Sequence, residues 1–209
     1  MMLRKFCLEY KMYTIIEDCS PYYIRCRHDG MEEIIDICKE ELSKLIIKQT
    51  FTNHKFNPYL ANKVLNLVPV TQKIKLQQHR TSLFVTSPGR YYRPHKDGFD
   101  HRCSINYTVK ILDDKCVTSW YSDEDLKGYP LAGTGFPGYV SREIDNYDKS
   151  KTPLKSMVAV QGECILFNTE IYHDFDNSES LNERAVLTLR AEDSGNVYFD
   201  DMKRLMFGL

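Results

Sequence analysis

Tyr91-Tyr92-Arg93-Pro94-His95-Lys96-Asp97-Gly98 is the stretch on which the reading of this chain turns. It sits in a run of β-prone residues, and side chains two apart on a strand leave from the same face, so His95 and Asp97 converge. Gly98 follows directly and lets the backbone turn away without a side chain crowding the pair. An imidazole and a carboxylate held side by side at a strand end suit two metal ligands. His101, six positions after His95, lies beyond the glycine turn and is read as a surface or substrate-side residue.

Outward from this stretch the C-terminal half reads as short β-rich runs separated by turns: Ser82 to Thr86, the Ser87-Pro88-Gly89 turn, Arg90 to Asp97 and Cys103 to Ile111. Strands resume at Ser156 to Val160, turn at Gln161-Gly162-Glu163, and continue through Cys164 to Asn168 and Arg184 to Ala191. Between the last two, after a short Thr-Glu-Ile-Tyr connection, stands His173. Two histidines and one carboxylate complete a facial triad, which leaves three open positions on Fe(II). Arg184 then opens the strand Arg184-Ala185-Val186-Leu187-Thr188-Leu189-Arg190, eleven residues past His173.

The order His-x-Asp, distal His, then Arg is similar to that of the Fe(II)/2-oxoglutarate-dependent dioxygenases, and the likeness runs from about Leu83 to Arg190. Gly162 in the turn and Leu166-Phe167-Asn168 leading out resemble that family's approach to its distal histidine. Cys103-Ser104-Ile105-Asn106-Tyr107-Thr108 and Thr118-Ser119-Trp120-Tyr121 look like segments of small phage and bacterial members. The resemblance implies an α+β, β-rich fold, a double-stranded β-helix or jelly-roll, cupin-like core with N-terminal helices packed outside. It implies His95, Asp97 and His173 as catalytic metal ligands, Fe(II) and the cosubstrate 2-oxoglutarate as cofactors, O2 as partner, and ascorbate as a supporting reductant. Arg184 matches the arginine that binds the remote carboxylate of the 2-oxo acid, where a planar cation is needed. Arg190 shares its strand face and is the runner-up. Tyr91, Asn106 and Thr188 are the choices for a second polar contact to that carboxylate.

By the same resemblance the reaction is hydroxylation of a C–H bond coupled to oxidative decarboxylation of 2-oxoglutarate. A carboxylate at position 97, where halogenating relatives carry Ala or Gly, favours the hydroxylase. The alternatives are an inactive β-helix used as a binding module, and a cupin-like metalloenzyme that uses no 2-oxo acid. A small molecule or a protein side chain is the expected substrate.

The N-terminal part reads as helical. Asp29 and Glu32 give a capping-box start, and Ile34, Ile35, Cys38, Leu42, Leu45 and Ile46 recur at helical period, predicting a helix over about 30–48. Asn57-Pro58 starts a second, with Leu60, Val64, Leu65 and Leu67 as its stripe. One mixed domain, 1–209, is the economical organisation, with 1–80 as helical support, 81–191 as catalytic core and 192–209 as a C-terminal extension. The glycine-rich stretch around Gly133 to Gly138 is a candidate lid.

Composition bounds the rest. At 209 residues, 42% hydrophobic and 27% charged, the chain excludes a collagen, a long coiled coil or a disordered tail. Twenty-eight Lys and Arg against 29 Asp and Glu leave no basic field for nonspecific nucleic-acid binding. Arg90, Arg93, Lys96 and Arg102 therefore read as a solvated face, and Trp120-Tyr121 as core packing. Cys7, Cys19, Cys26, Cys38, Cys103, Cys116 and Cys164 form no Cys-x-x-Cys pair and read as small buried thiols in a cytoplasmic protein. No apolar stretch suits a signal core or membrane span.

Overall fold

A computed structural model describes residues 12–47, 51–97, 101–132, 143–147, 149 and 151–209. Gly98 and the Gly133 to Gly138 segment lie outside the described residues, as does Cys7. Among the described residues eleven strands form two antiparallel sheets. They are β1 (Thr14–Cys19), β2 (Tyr23–Arg27), β3 (Phe51–Lys55), β4 (Ser82–Thr86), β5 (Arg90–His95), β6 (Cys103–Lys110), β7 (Val117–Tyr121), β8 (Lys155–Val158), β9 (Cys164–Asn168), β10 (Tyr172–Asn177) and β11 (Arg184–Leu189). The large sheet runs β1-β2-β9-β6-β11-β4-β3 and the small one β5-β10-β7-β8. From β4 onward the chain alternates between them, crossing at every connection except β7 to β8.

The large sheet is sided by the period-2 rule. Leu83, Val85, Ile105, Tyr107, Cys164, Leu166, Leu187 and Leu189 are fully or almost fully buried in one apolar core, shared with the helices α1 (Met31–Ser43), α2 (Pro58–Leu65) and α3 (Phe199–Phe207). The opposite parity of the same strands faces a cavity between the sheets. Helices thus cover one face of the large sheet and the small sheet covers the other. No helix among the described residues is long and apolar enough to cross a membrane.

Both predicted helices form, with one difference in capping. Asn57 caps α2 as its side chain accepts from the Leu60 N–H at 2.9 Å, with Pro58 in the first turn. The capping box predicted for α1 does not form: Gly30 stands at its cap at φ 82° without a side-chain cap bond, and the helix ends at Ser43. That left-handed turn favours glycine and replaces the expected Asp29 cap. The N-terminal 80 residues are also not helical throughout. β1 and β2 extend the large sheet beyond β9, and β3 extends it beyond β4. β1 is a half-exposed edge strand, and the β3 sequence Phe-Thr-Asn-His-Lys carries a single apolar residue, so neither shows the alternation by which strands are read. In the C-terminal extension, Asp201 accepts from the Tyr198 N–H and starts α3.

In the C-terminal half the predicted strand bounds agree with the observed ones to within a residue or two, with two additions, β7 (Val117–Tyr121) and β10. Tyr172–Asn177 is a full strand, β10, so His173 lies on a strand and not merely after one.

Candidate metal and cosubstrate site

His95 and His173 face each other across the β5–β10 pair, directly opposite in register. Their ring centroids are 4.4 Å apart, and one ligand atom from each of His95, Asp97 and His173 lies within 4.8 Å of the others. Among the described residues this is the one such group of three or more. The Asp97 N–H donates to the Thr169 carbonyl at 3.2 Å, which ties the segment after β5 to the end of β9.

Each imidazole is turned the same way. The Nδ1–H of His95 donates to the Arg93 carbonyl and that of His173 to the Ile171 carbonyl, both at 2.9 Å and both two residues upstream. With Nδ1 protonated, Nε2 keeps its lone pair and points into the cavity, the arrangement by which outer contacts fix a ligating histidine. Burial pushes the His173 imidazole down to about 3, with His95 adding to the effect, and burial likewise lowers His95. Both rings are therefore neutral and basic at Nε2 near neutral pH. Burial alone would raise the Asp97 carboxyl, but Arg190, His173 and His95 outweigh it and hold it below its ordinary range.

The two Asp97 oxygens have different neighbours. Oδ1 lies 3.9 Å from His95 Nε2, while Oδ2 lies 3.2 Å from Arg190 Nη2. One oxygen thus faces the imidazoles and the other is held by a guanidinium. Two neutral nitrogens and one anionic oxygen on one side of an open space are the donor set of a facial triad.

The cavity, about 240 Å³, is lined from both sheets. Arg184, Val186, Thr188 and Arg190 enter it from β11 and the ends of its parity series, Ser104 and Asn106 from β6, Phe167 and Thr169 from β9 and its end. Arg184 is 93% buried, its guanidinium sits 4.5 Å over the Phe175 ring, and its hydrogen bond to Thr118 is a long one, 3.4 Å from Nη2 to Oγ1. Its Nε is buried with no hydrogen-bond partner, and no carboxylate pairs with it among the described residues. An isolated buried guanidinium is costly and fits an anionic ligand. The Asn106 Oδ1 is likewise buried and unpartnered.

The six predicted site residues other than Tyr91 line this one cavity, and Arg190 joins them. Tyr91 does not. Its hydroxyl donates to Asp174 Oδ2 at 2.9 Å on the far side of the small sheet, where the Tyr121 hydroxyl and the Ser119 N–H also donate to Asp174. The cause is a bulge: His173 pairs with His95 and Phe175 with Tyr92, so three steps on β5 match two on β10. Pro94, lacking an N–H, sits in the extra step, and the parity of everything before it is reversed. Tyr92 is the residue that faces the cavity.

His101 is buried and not at the surface: Arg80 donates to its ring, Ser194 Oγ lies 3.3 Å from its Nδ1, and its carbonyl accepts from Thr169 Oγ1 at 2.6 Å. Three members of the charge run near the site are paired outside the cavity. Arg93 meets Glu143 and Asp145, Lys96 meets Asp123, and Arg102 meets Glu170. Trp120 is buried against Tyr23 and Phe167. The six described cysteines are free thiols, five of them buried.

Unread in the sequence were Phe51, Asn53, Phe84, Phe167, Phe175 and Tyr92 as cavity walls. Parity within Cys164–Asn168 could have found Phe167; a Pro inside a strand is the signal for the bulge.

No protein-family model matches the chain, and no curated protein matches its sequence. Among solved structures it is similar to HygX from Streptomyces hygroscopicus with nickel, 2-oxoglutarate and hygromycin B bound, at 9% identity over 80% of this chain and 81% of that one, TM-score 0.48. It is also similar to SnoK, a non-heme alpha-ketoglutarate-dependent carbocyclase from nogalamycin biosynthesis, at 11% identity over 80% and 78%, TM-score 0.45. AviO1 from Streptomyces viridochromogenes Tue57 follows at 7% identity over 82% and 90%, TM-score 0.43.

Proposed function

We propose that this chain is an Fe(II)- and 2-oxoglutarate-dependent oxygenase of the hydroxylase type, built on a double-stranded β-helix. The alternation of β4 to β11 between two four-strand layers, β4-β11-β6-β9 and β5-β10-β7-β8, supports the β-helix reading. The observation that carries the function is the coexistence, in one cavity, of a donor set of two neutral imidazoles and one carboxylate and a buried guanidinium without a carboxylate partner among the described residues.

His95 and His173 would hold the metal through Nε2, and Asp97 through Oδ1, with Oδ2 retained by Arg190. Bound Fe(II), together with O2 and a 2-oxo acid, supplies the oxidant by which R–H, O2 and 2-oxoglutarate become R–OH, succinate and CO2. Arg184 binds the remote carboxylate of 2-oxoglutarate, and the planar fork of its guanidinium fixes that end of the molecule. Asn106 and Thr188 face the same space and supply its further polar contacts. Phe167, Phe175 and Val186 wall it with hydrocarbon, which strengthens the ion pair by keeping water out.

The test is succinate release from 2-oxoglutarate under air with Fe(II), and anaerobic calorimetric binding of 2-oxoglutarate. Wild-type protein is expected to do both. His95→Ala abolishes the release, and Arg184→Ala weakens cosubstrate binding. No release and no iron-dependent binding would make the chain a binding module. Turnover untouched by Arg184→Ala would make it a metalloenzyme that uses no 2-oxo acid.

A further inference from the structure

The cavity has a second arm that the metal and cosubstrate reading leaves unused. On the large sheet Arg184 pairs with Thr86 and Thr86 with Phe51, while Val186 pairs with Phe84 and Phe84 with Asn53. Phe51, Asn53, Phe84 and Thr86 thus continue the lining from β11 across β4 to β3, one to two strand spacings, roughly 5–10 Å, beyond Arg184.

Among the described residues this arm is lined by no charged side chain: the charged lining residues of the cavity are Asp97, Arg184 and Arg190, all taken up by the metal and cosubstrate reading. Phe84 is 37% exposed although its strand is paired on both sides, by β3 and by β11, and its neighbours Leu83 and Val85 are buried. Its ring is therefore open to the cavity and not left over at a sheet edge. Phe51 meets Tyr92 edge-on at 4.7 Å across the gap between the two sheets, and Tyr92 meets His95 edge-on at 4.4 Å. A continuous line of rings connects this arm to the ligand set. Asn53, beside Phe84, offers the arm an amide.

We propose that the reacting part of the substrate is an uncharged planar ring, seated on Phe51 and Phe84, with Asn53 bonding a polar atom on its rim. An apolar ring gains contact with both phenyl groups, whereas a charged group would lose its hydration against a lining that holds no counter-ion among the described residues. The total cavity is smaller than the roughly 300–1,000 Å³ typical of pockets for drug-sized ligands, so the seat suits a single or fused double ring. This inference rests on the oxygenase reading, because that reading gives the other arm to 2-oxoglutarate.

The experiment uses the full chain and two neutral probes, indole and methyl α-glucoside, followed by ligand-observed NMR, with 2-oxoglutarate binding measured separately by anaerobic calorimetry with Fe(II). Indole is expected to bind saturably and the glucoside not to. Phe84→Ala should weaken indole about tenfold and Phe84→Leu should weaken it by a similar factor, since leucine keeps the hydrocarbon but not the plane. Thermal melting of both variants checks that they fold, and both should keep 2-oxoglutarate affinity. Glucoside binding as tight as indole, or indole binding unmoved by both substitutions, overturns the ring seat. Bound 2-oxoglutarate with no indole binding also overturns it and leaves the oxygenase reading standing. Indole bound as expected with no 2-oxoglutarate binding retains the seat and removes the oxygenase reading.

Discussion

On one face of β11, Ala185, Leu187 and Leu189 have no solvent exposure and pack against the helical layer. On the other face Arg184, Val186, Thr188 and, just past the strand, Arg190 look into the cavity. Consecutive residues of one strand therefore serve different ends: hydrocarbon on one parity holds the sheet to its helices, and polar groups on the other wait for ligands. The comparison teaches where stability and chemistry can be separated. A cavity-facing arginine without a carboxylate partner among the described residues contributes little to folding, while its leucine neighbour contributes much.

The largest expected effect comes from cutting into the helix-facing parity. Leu187→Ala should lower unfolding free energy by about 2–5 kcal/mol, the cost of emptying a fully buried leucine site. Arg184→Met, four strand positions from Thr188, the next polar cavity residue of β11, should leave denaturant stability unchanged or raised, yet weaken 2-oxoglutarate. Equal destabilisation by the two substitutions would break the division between faces.

Next in size is the contact between the end of β11 and the proposed metal ligands. Arg190 holds Asp97 Oδ2 and leaves Oδ1 toward the histidines. Arg190→Gln removes that charge and should lower divalent-metal affinity by about 10–100-fold, as loss of an outer contact to a ligand does. Competitive metal titration measures it. An unchanged affinity would assign Arg190 to the structure of the β11 end alone.

A smaller effect follows from pH. The folded His173 imidazole sits at about 3 against an ordinary 6.5, so between those values the unfolded chain binds more protons than the metal-free folded one. Stability then rises with pH across that window and is complete above about 6.5. Asp174, pushed up to about 6 by burial despite its three donors, acts in the opposite sense between about 4 and 6. Melting of the metal-free protein should accordingly depend more steeply on pH in Asp174→Asn, which removes the opposing group, and less steeply in His173→Gln. A slope unmoved by either change would mean that neither group titrates with unfolding.

How far the sequence discloses all this follows from the same strand rules. Strand parity was enough to put Asp97 beside His95 and Arg190 on the face of Arg184, whereas Asn106 and Thr188 were expected beside them only from the likeness of the His-x-Asp, His, Arg order to a known family; all of these line the one cavity with His173. β1 and β3 were illegible because a half-exposed edge strand has no alternation to read. The His101 burial depends on Arg80, Ser194 and Thr169, contacts from three distant segments that no local pattern encodes. Tyr91 failed for a local reason, since one extra residue at Pro94 moves every earlier side chain of β5 to the other face.

The smallest prediction tests that reversal. Tyr91 donates to Asp174 behind the small sheet, and Tyr92 stands in the cavity against His95. Tyr91→Phe removes one donor of the three around a buried carboxylate and should cost about 1 kcal/mol in denaturant stability, with 2-oxoglutarate affinity unchanged. Asp174 should then hold its proton to higher pH, because one of the bonds that favour its charged form is gone. Tyr92→Phe, by contrast, keeps the ring against His95 and Phe51 and disturbs neither quantity by a donor lost to Asp174. If Tyr91→Phe instead weakens 2-oxoglutarate, β5 carries no bulge in solution, and the simple alternation from His95 back to Tyr91 is the correct register.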